Sequence, residues 1–159
     1  MAEKNLIGEF HSDHTKVVQA LLDLRNAIQN RDPAGVRATL GEANKLVGPH
    51  FKFEELHLYP SLKEFTGEAG MQRLVNEHDG VFRSVGGLVD LAGKDTWSEK
   101  DGKTAEAYLD LVWEHPVTCD GLALYIERLP GGVQAALLNK MEELRRQGTT
   151  LLEYRKERL

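Results

Sequence analysis

The chain has 159 residues, of which 41% are hydrophobic and 28% charged, and its formal net charge is -5. This composition predicts one globular domain with a substantial core, and the acidic balance argues against a general nucleic-acid binder, which needs a basic surface. Cys119 is the single cysteine, the first residues lack a signal-peptide profile and no apolar run reaches roughly 18 residues, so we expect a cytoplasmic protein with no membrane partner and no intrachain disulfide.

Helix one is predicted over residues 5–30. Its inward positions are spaced alternately four and three residues apart, which is the spacing of a helix-bundle seam. The residues at these positions are Phe10, His14, Val17, Leu21, Leu24 and Ile28. His14 is therefore expected on the inward face, and His11 lies one turn earlier on the flank of that seam.

Helix two is predicted over residues 33–65, with Pro33 in its first turn. Its inward stripe has the same spacing and consists of Val36, Leu40, Ala43, Val47, His50, Glu54 and His57. His50 and Glu54 lie four residues apart, so both side chains can reach one metal site from the same helix face. A buried, unpaired carboxylate is costly, so Glu54 on this stripe needs a cation or strong hydrogen-bond partners.

Helices three and four are predicted over residues 68–91 and 99–129. Their inward stripes contain His78 and His115, respectively, among mostly apolar residues. The connection at residues 66–68 is short, so helix three should run antiparallel to helix two. Pro116 lacks a backbone donor and disfavours helical geometry at His115, so helix four is expected to kink or bulge next to this histidine.

The sequence Pro130-Gly131-Gly132 marks a break. An amphipathic stretch over residues 133–147 and a short terminal helix over residues 149–159 are predicted after it. We therefore predict an all-α fold, an antiparallel up-down four-helix bundle over residues 1–129 with an additional C-terminal helix. The extension, residues 130–159, is expected to pack on the bundle, on a protein partner or on a second copy of the chain.

The four predicted bundle helices each have a histidine on their inward face. Taken singly, each of these fits a hydrogen-bonded core histidine. Four imidazoles that meet at one level, together with the carboxylates of Glu54 and Asp120, indicate a metal site instead. A set of nitrogen and oxygen ligands suits iron, and manganese or zinc would also fit.

The chain resembles the hemerythrin-like (HHE cation-binding) family of four-helix di-iron proteins over residues 5–129. The segments that show the resemblance are Asp13-His14, His50-Phe51-Lys52-Phe53-Glu54-Glu55, Glu77-His78-Asp79 and His115-Pro116-Val117-Thr118-Cys119-Asp120. The H-F-x-x-E-E and H-x4-D patterns are fairly specific when they occur together, in this order and on helices of this length.

The resemblance implies two iron ions, bridged by two carboxylates and by an oxo or hydroxo group. It implies that Glu54 and Asp120 are the bridging carboxylates. It also implies that each iron is served by two histidines, one iron by those of helices one and two and the other by those of helices three and four. The implied metal ligands are therefore His14, His50, Glu54, His78, His115 and Asp120.

The chain departs from the family pattern in helix three. The family often has a second histidine four residues before the one that matches His78, and this chain has Leu74 there. Water, an exogenous ligand or a nearby side chain must then complete the second iron, and His57 and His11 are the spare histidines. Two further carboxylates are expected at the surface or as groups that orient a ligating imidazole through its other ring nitrogen; these are Glu55 and Glu77.

The direction of Asp120 depends on the geometry of helix four. Five residues turn a straight α-helix by about 500°, which leaves Asp120 roughly 140° away from His115 and places Cys119 better. A π-turn encouraged by Pro116 would bring Asp120 into line, and the family pattern favours this arrangement. Cys119 is then a small core residue, although its contact with the metal stays open.

The leading functional hypothesis is a binding protein whose di-iron site takes up dioxygen, or another small diatomic such as nitric oxide, for carriage, storage or sensing. A histidine set that is one short leaves a more open iron, which favours sensing or redox chemistry over carriage. The alternatives are a di-iron oxidoreductase that acts on peroxide or nitric oxide, and an interaction module with a structural metal. Whether the protein is an enzyme stays open on the sequence.

Overall fold

A computed structural model describes residues 3–158, which form helices and turns and contain no strand. The predicted all-α class is confirmed. Residues 1–2 of the predicted first domain and Leu159 of the predicted terminal helix lie outside the described residues. The elements in chain order are α1 (Leu6–Gln29), α2 (Pro33–Phe53), a π-helix (Glu54–Leu58), α3 (Tyr59–Ala92), α4 (Glu99–Asp110), α5 (His115–Asp120), α6 (Ala123–Ile126), α7 (Gly131–Gln147) and α8 (Leu151–Arg158).

Three of the long helices begin where a polar side chain caps their first turn. Asn5 accepts a hydrogen bond from the backbone N–H of Gly8 at 2.8 Å, and Asp32 accepts one from that of Gly35 at 3.0 Å. Ser98 and Asp101 form a reciprocal capping box at the start of α4. These caps satisfy N–H groups that have no partner inside the helix, which fixes where each helix starts.

The predicted second helix continues through a π-helix into α3. The continuous helical stretch is interrupted at Gly67, whose φ of 70° and ψ of 173° are not helical. A residue without Cβ adopts this positive φ at low cost. The predicted break at residues 66–68 is thus confirmed, but the π-helix at Glu54–Leu58 was not expected in this part of the chain.

The helix predicted over residues 99–129, with a kink or bulge next to His115, is more interrupted than expected. The structure divides this segment into α4, α5 and α6, with turns over residues 111–114 and 121–122. The backbone N–H of His115 bonds to the carbonyl of Val112, three residues earlier, at 3.3 Å. Pro116 explains the first interruption, because it has no N–H and disfavours α-helical geometry at the residue before it. The expected deviation next to His115 is confirmed, and it extends further than expected.

Two apolar clusters fill the interior. Core A includes Leu21, Leu24, Leu40, Val47, Val81, Leu88, Leu109 and Val112. Core B includes Leu6, Phe10, Phe53, Leu62, Cys119, Leu122, Ile126 and Leu137. Along the chain, α1 passes from core B to core A, α2 from A to B, α3 from B to A, and α4 to α6 from A to B. Each of the four predicted ligand histidines lies at one of these crossings, between the two clusters.

The C-terminal helices α7 and α8 both pack on α2. The approach of α8 is close at Gly48, where a Cβ atom would lie 2.2 Å from the backbone oxygen of Thr149. A larger residue at position 48 would therefore push the start of α8 away from α2. Within residues 3–158, no helix combines the length and the apolar character that a membrane span requires.

Candidate metal centre

Five of the six predicted ligands meet in a buried cluster around Glu54, whose side chain is 0% exposed. Glu54 Oε1 lies 2.9 Å from His50 Nε2 and 3.6 Å from His14 Nε2. Glu54 Oε2 lies 3.0 Å from His78 Nε2. His115 joins the same side as His78, because atoms of these two histidines and of Glu54 lie within 4.8 Å of one another. The predicted stripes therefore converge on one level, as expected.

Each of the four histidines has a carboxylate on its other ring nitrogen, Nδ1. The pairs are His14 with Asp120 at 3.0 Å, His50 with Asp13 at 2.9 Å, His78 with Glu55 at 2.8 Å and His115 with Glu77 at 2.9 Å. An ionised carboxylate only accepts, so Nδ1 of each ring is protonated, and Nε2 is the nitrogen directed at the interior that could bind a metal. Glu55 and Glu77 thus contact the outer ring nitrogens through which such groups orient an imidazole, and ligation by these imidazoles stays a prediction.

The interior of this cluster favours positive charge. His14 Nε2 and His50 Nε2 face each other at 3.2 Å, and His115 Nε2 is buried without a hydrogen-bond partner among the described residues. Burial disfavours a charged imidazole, yet the carboxylates of Glu54 and Asp13 raise the pKa of His50 to about 10. Burial likewise opposes the ionised form of Glu54, but the surrounding imidazoles hold its pKa well below the usual range. A metal ion would supply this charge, so the donor set fits one.

The candidate ligands divide into two groups that share Glu54. One group consists of His14, Glu54 and Cys119, and the other of Glu54, His78 and His115. His50 belongs to the first side, because its Nε2 contacts the same carboxylate oxygen, Oε1. The two oxygens of a single buried carboxylate thus face two separate histidine pairs.

Tyr59 and Cys119 also face this cluster; Tyr59 was not expected there from the sequence, whereas the contact of Cys119 with the site had been left open. The hydroxyl of Tyr59 donates to Glu54 Oε2 at 3.0 Å and lies 3.0 Å from His78 Nε2, while Cys119 Sγ lies 2.8 Å from Glu54 Oε1. Burial and the Glu54 charge raise the pKa of both groups well above their ordinary values, so phenol and thiol are protonated. Tyr59 lies five residues after Glu54, and the π-helix between them aligns residues at this spacing. The five-residue spacing is the feature of the sequence from which the position of Tyr59 at the site could have been predicted.

Asp120 is not placed as expected. Its carboxylate lies on the outer side of His14, with Oδ1 on Nδ1 of that ring and Oδ2 2.9 Å from Nδ1 of His11. The π-turn expected after Pro116 is absent from the described residues 115–120, which form an α-helical segment. Without the extra rotation, Cys119 points inward and Asp120 lies about 100° further round the helix. Ligation by Asp120 stays a prediction.

The two spare histidines lie away from the cluster. The side chain of His11 is 67% exposed and contacts Asp120. His57 is half-buried within the π-helix, where burial and the Lys140 ammonium lower its pKa. Leu74, at the position where the family pattern often has a histidine, packs against core B. Beside His78, the Tyr59 hydroxyl and the Glu54 carboxylate are the polar groups in contact with Nε2.

The comparisons with known proteins identify a family. A family model described as the hemerythrin HHE cation binding domain matches residues 5–116. No curated protein and no solved structure matches the chain. The matched segment contains α1 to α4 and the first residues of α5, and it ends before Cys119 and Asp120.

Proposed function

Because the chain belongs to the hemerythrin HHE cation-binding family, we propose that it is a non-haem di-iron protein that binds dioxygen or a related small diatomic. The observation that supports this most strongly is the division of the two Glu54 oxygens between two histidine pairs. A carboxylate in this position suits a bridge between two metal ions. An iron pair would supply reversible electron transfer to a bound diatomic ligand.

The proposed ligands follow from which atoms face inward. His14 and His50 would hold one ion, and His78 and His115 the other, with Glu54 shared between them. Nitrogen and oxygen donors suit iron, and manganese or zinc would also fit. Asp120 would act on the first ion either through His14 or, as the family pattern implies, as a second bridge.

The proposal includes the arrangement of the helices around this site. The four bundle segments cross between core A and core B in alternating directions along the chain. We infer from this an antiparallel up-down bundle over residues 1–129, to which residues 130–159 add a helical extension. Such a bundle presents inward side chains from all four segments at one level. Metal-binding helix bundles hold their metals in the core, between facing helices.

A small cavity beside the cluster fits the proposed class of ligand. It has a volume of about 70 Å³, its lining is almost entirely apolar, and His115 and Phe51 are among the residues that line it. A largely apolar cavity of this size accepts small apolar molecules. Dioxygen and nitric oxide meet this description, whereas a polar metabolite of several heavy atoms does not.

A second candidate function is a di-iron oxidoreductase that consumes peroxide or nitric oxide. Tyr59 and Cys119 favour it, because a protonated phenol and a protonated thiol both contact the Glu54 carboxylate. Tyr59 is hydrogen-bonded so that it could give a proton to a group bound near Glu54 and His78. Reduction of peroxide or nitric oxide consumes protons, which a phenol in this place would supply.

The optical spectrum of the iron-loaded protein, recorded without oxygen and then with dioxygen or nitric oxide, tests the proposal. We expect a charge-transfer band that appears on addition of the diatomic and disappears when the gas is removed. Irreversible oxidation with continued consumption of the added oxidant would support the oxidoreductase. A silent spectrum combined with metal-dependent folding would contradict both and indicate a structural metal.

A further inference from the structure

Helix α7 reaches the site from outside the matched family segment. The guanidinium of Arg145 donates to Asp13 Oδ1 at 2.9 Å and to Glu9 Oε2 at 2.8 Å. The other oxygen of Asp13 accepts from His50 Nδ1 at 2.9 Å. Asp13 is 3% exposed and the Arg145 side chain is 31% exposed, so a partly buried cation contacts a candidate ligand through a buried carboxylate.

Helix α8 makes a similar connection, which leads to His78 instead of His50. Arg158 Nε lies 2.9 Å from Glu55 Oε2, and the hydroxyl of Tyr154 donates to the same oxygen at 2.6 Å. The other oxygen, Oε1, lies 2.8 Å from His78 Nδ1. The Arg158 side chain is 19% exposed and also pairs with Asp79, which holds the guanidinium in place.

We propose that α7 and α8 set the electronic character of the metal site through these two connections. Arg145 acts on His50 through Asp13, and Arg158 with Tyr154 acts on His78 through Glu55. The two connections end on different sides of Glu54, one for each proposed ion. Arg145, Tyr154 and Arg158 are thus positioning residues, and this inference rests on the proposed function.

The sign of the effect follows from hydrogen bonding. A carboxylate that already accepts from a guanidinium has less negative charge to offer the imidazole N–H. The imidazole is then a weaker donor to the metal, since outer hydrogen bonds set ligand basicity. The nearby positive charge adds to this, because it disfavours the more highly charged oxidised metal. Loss of either arginine should therefore favour the oxidised over the reduced iron.

The other two histidines provide an internal contrast. The carboxylate on His14, Asp120, is shared with His11, and the carboxylate on His115, Glu77, is 35% exposed. Among the described residues, no arginine bonds to either of these carboxylates. The C-terminal helices thus act on one histidine of each pair and leave the other unchanged.

The test is a redox titration of the iron-loaded full chain, followed optically. The variants are Arg145→Gln and Arg158→Gln, and the matched controls are Arg146→Gln and Arg155→Gln, which replace exposed arginines on the same two helices. We expect each test variant to increase the preference for oxidised over reduced iron several-fold, which lowers the midpoint potential; a tenfold change corresponds to about 59 mV for one electron. The controls should match the wild type.

The result that would overturn the inference is a wild-type potential in both test variants, even if their melting temperatures fall, because the helices would then only pack. Tyr154→Phe decides the α8 connection if Arg158→Gln does not fold, since it removes one donor to Glu55 and keeps the ring. It should shift the potential in the same direction, and a potential equal to that of Arg155→Gln would refute the proposal. Wild-type protein that takes up no iron would instead refute the proposed function, so the two failures are distinguishable.

Discussion

Replacement of Glu54 by glutamine is expected to remove the iron pair rather than merely to weaken it. Glutamine keeps the size of the side chain but cannot offer two negatively charged oxygens to two metal ions. Glu54 is also the candidate ligand that both histidine pairs share. We therefore expect the loss of affinity to exceed the roughly 10–100-fold that removal of an outer hydrogen-bond partner costs. Elemental analysis after iron loading should fall from up to two irons per chain to less than one.

A matched control separates metal loss from general damage. Glu64→Gln makes the same chemical change at an exposed position of α3, and it should leave the iron content unchanged. Metal binding is coupled to folding, so Glu54→Gln should lower the melting temperature of iron-loaded samples more than that of metal-free samples. An unchanged iron content in Glu54→Gln would mean that the carboxylate is not a ligand.

Asp120→Asn and Cys119→Ser are expected to give different results from each other. The amide introduced by Asp120→Asn lacks the charge that holds the Nδ1–H of His14, so iron affinity should fall by about 10–100-fold while two irons still bind at saturation. Serine is close in size to cysteine and keeps a hydroxyl beside Glu54, so Cys119→Ser should retain the iron but alter its optical spectrum. Titration with ferrous iron and the spectrum of the loaded protein measure both effects.

The same pair of variants decides how α5 presents its side chains to the metal. If Asp120 bridges the ions, as the family pattern implies, Asp120→Asn should lose iron as completely as Glu54→Gln. If the thiolate of Cys119 is a ligand that the site requires, Cys119→Ser should lose iron instead and the site would prefer a softer metal. Thr118→Ser, an exposed change in the same segment, should have neither effect.

The helical positions of the histidines could be predicted from the sequence because each lies on a regular seam. His14, His50 and His78 follow the alternating four-three spacing, and helical geometry alone then places them inward. Glu54 could be predicted for a further reason, since a carboxylate on an apolar stripe requires a partner. These inferences use only the spacing of residues within one helix. That spacing is unaffected by irregularities further along the chain, such as the π-helix, that were not predicted from the sequence.

The residues that were missed from the sequence depend on local irregularity or on distant contacts. Tyr59 faces Glu54 because a π-helix separates them, and a π-turn was expected in helix four instead. Asp120 differs from its expected orientation because that π-turn does not form in α5. Arg145 lies 132 residues from Asp13, and no periodicity within one helix predicts a contact at that separation.

Anomalous diffraction at the iron edge from crystals of the iron-loaded protein would locate the iron ions relative to Glu54. We expect two peaks that flank the Glu54 carboxylate, one on the side of His14 and His50 and one on the side of His78 and His115. The peaks should be absent in crystals of Glu54→Gln prepared in the same way. A single peak, or peaks that do not adjoin Glu54, would contradict the shared-carboxylate site and with it the proposed function.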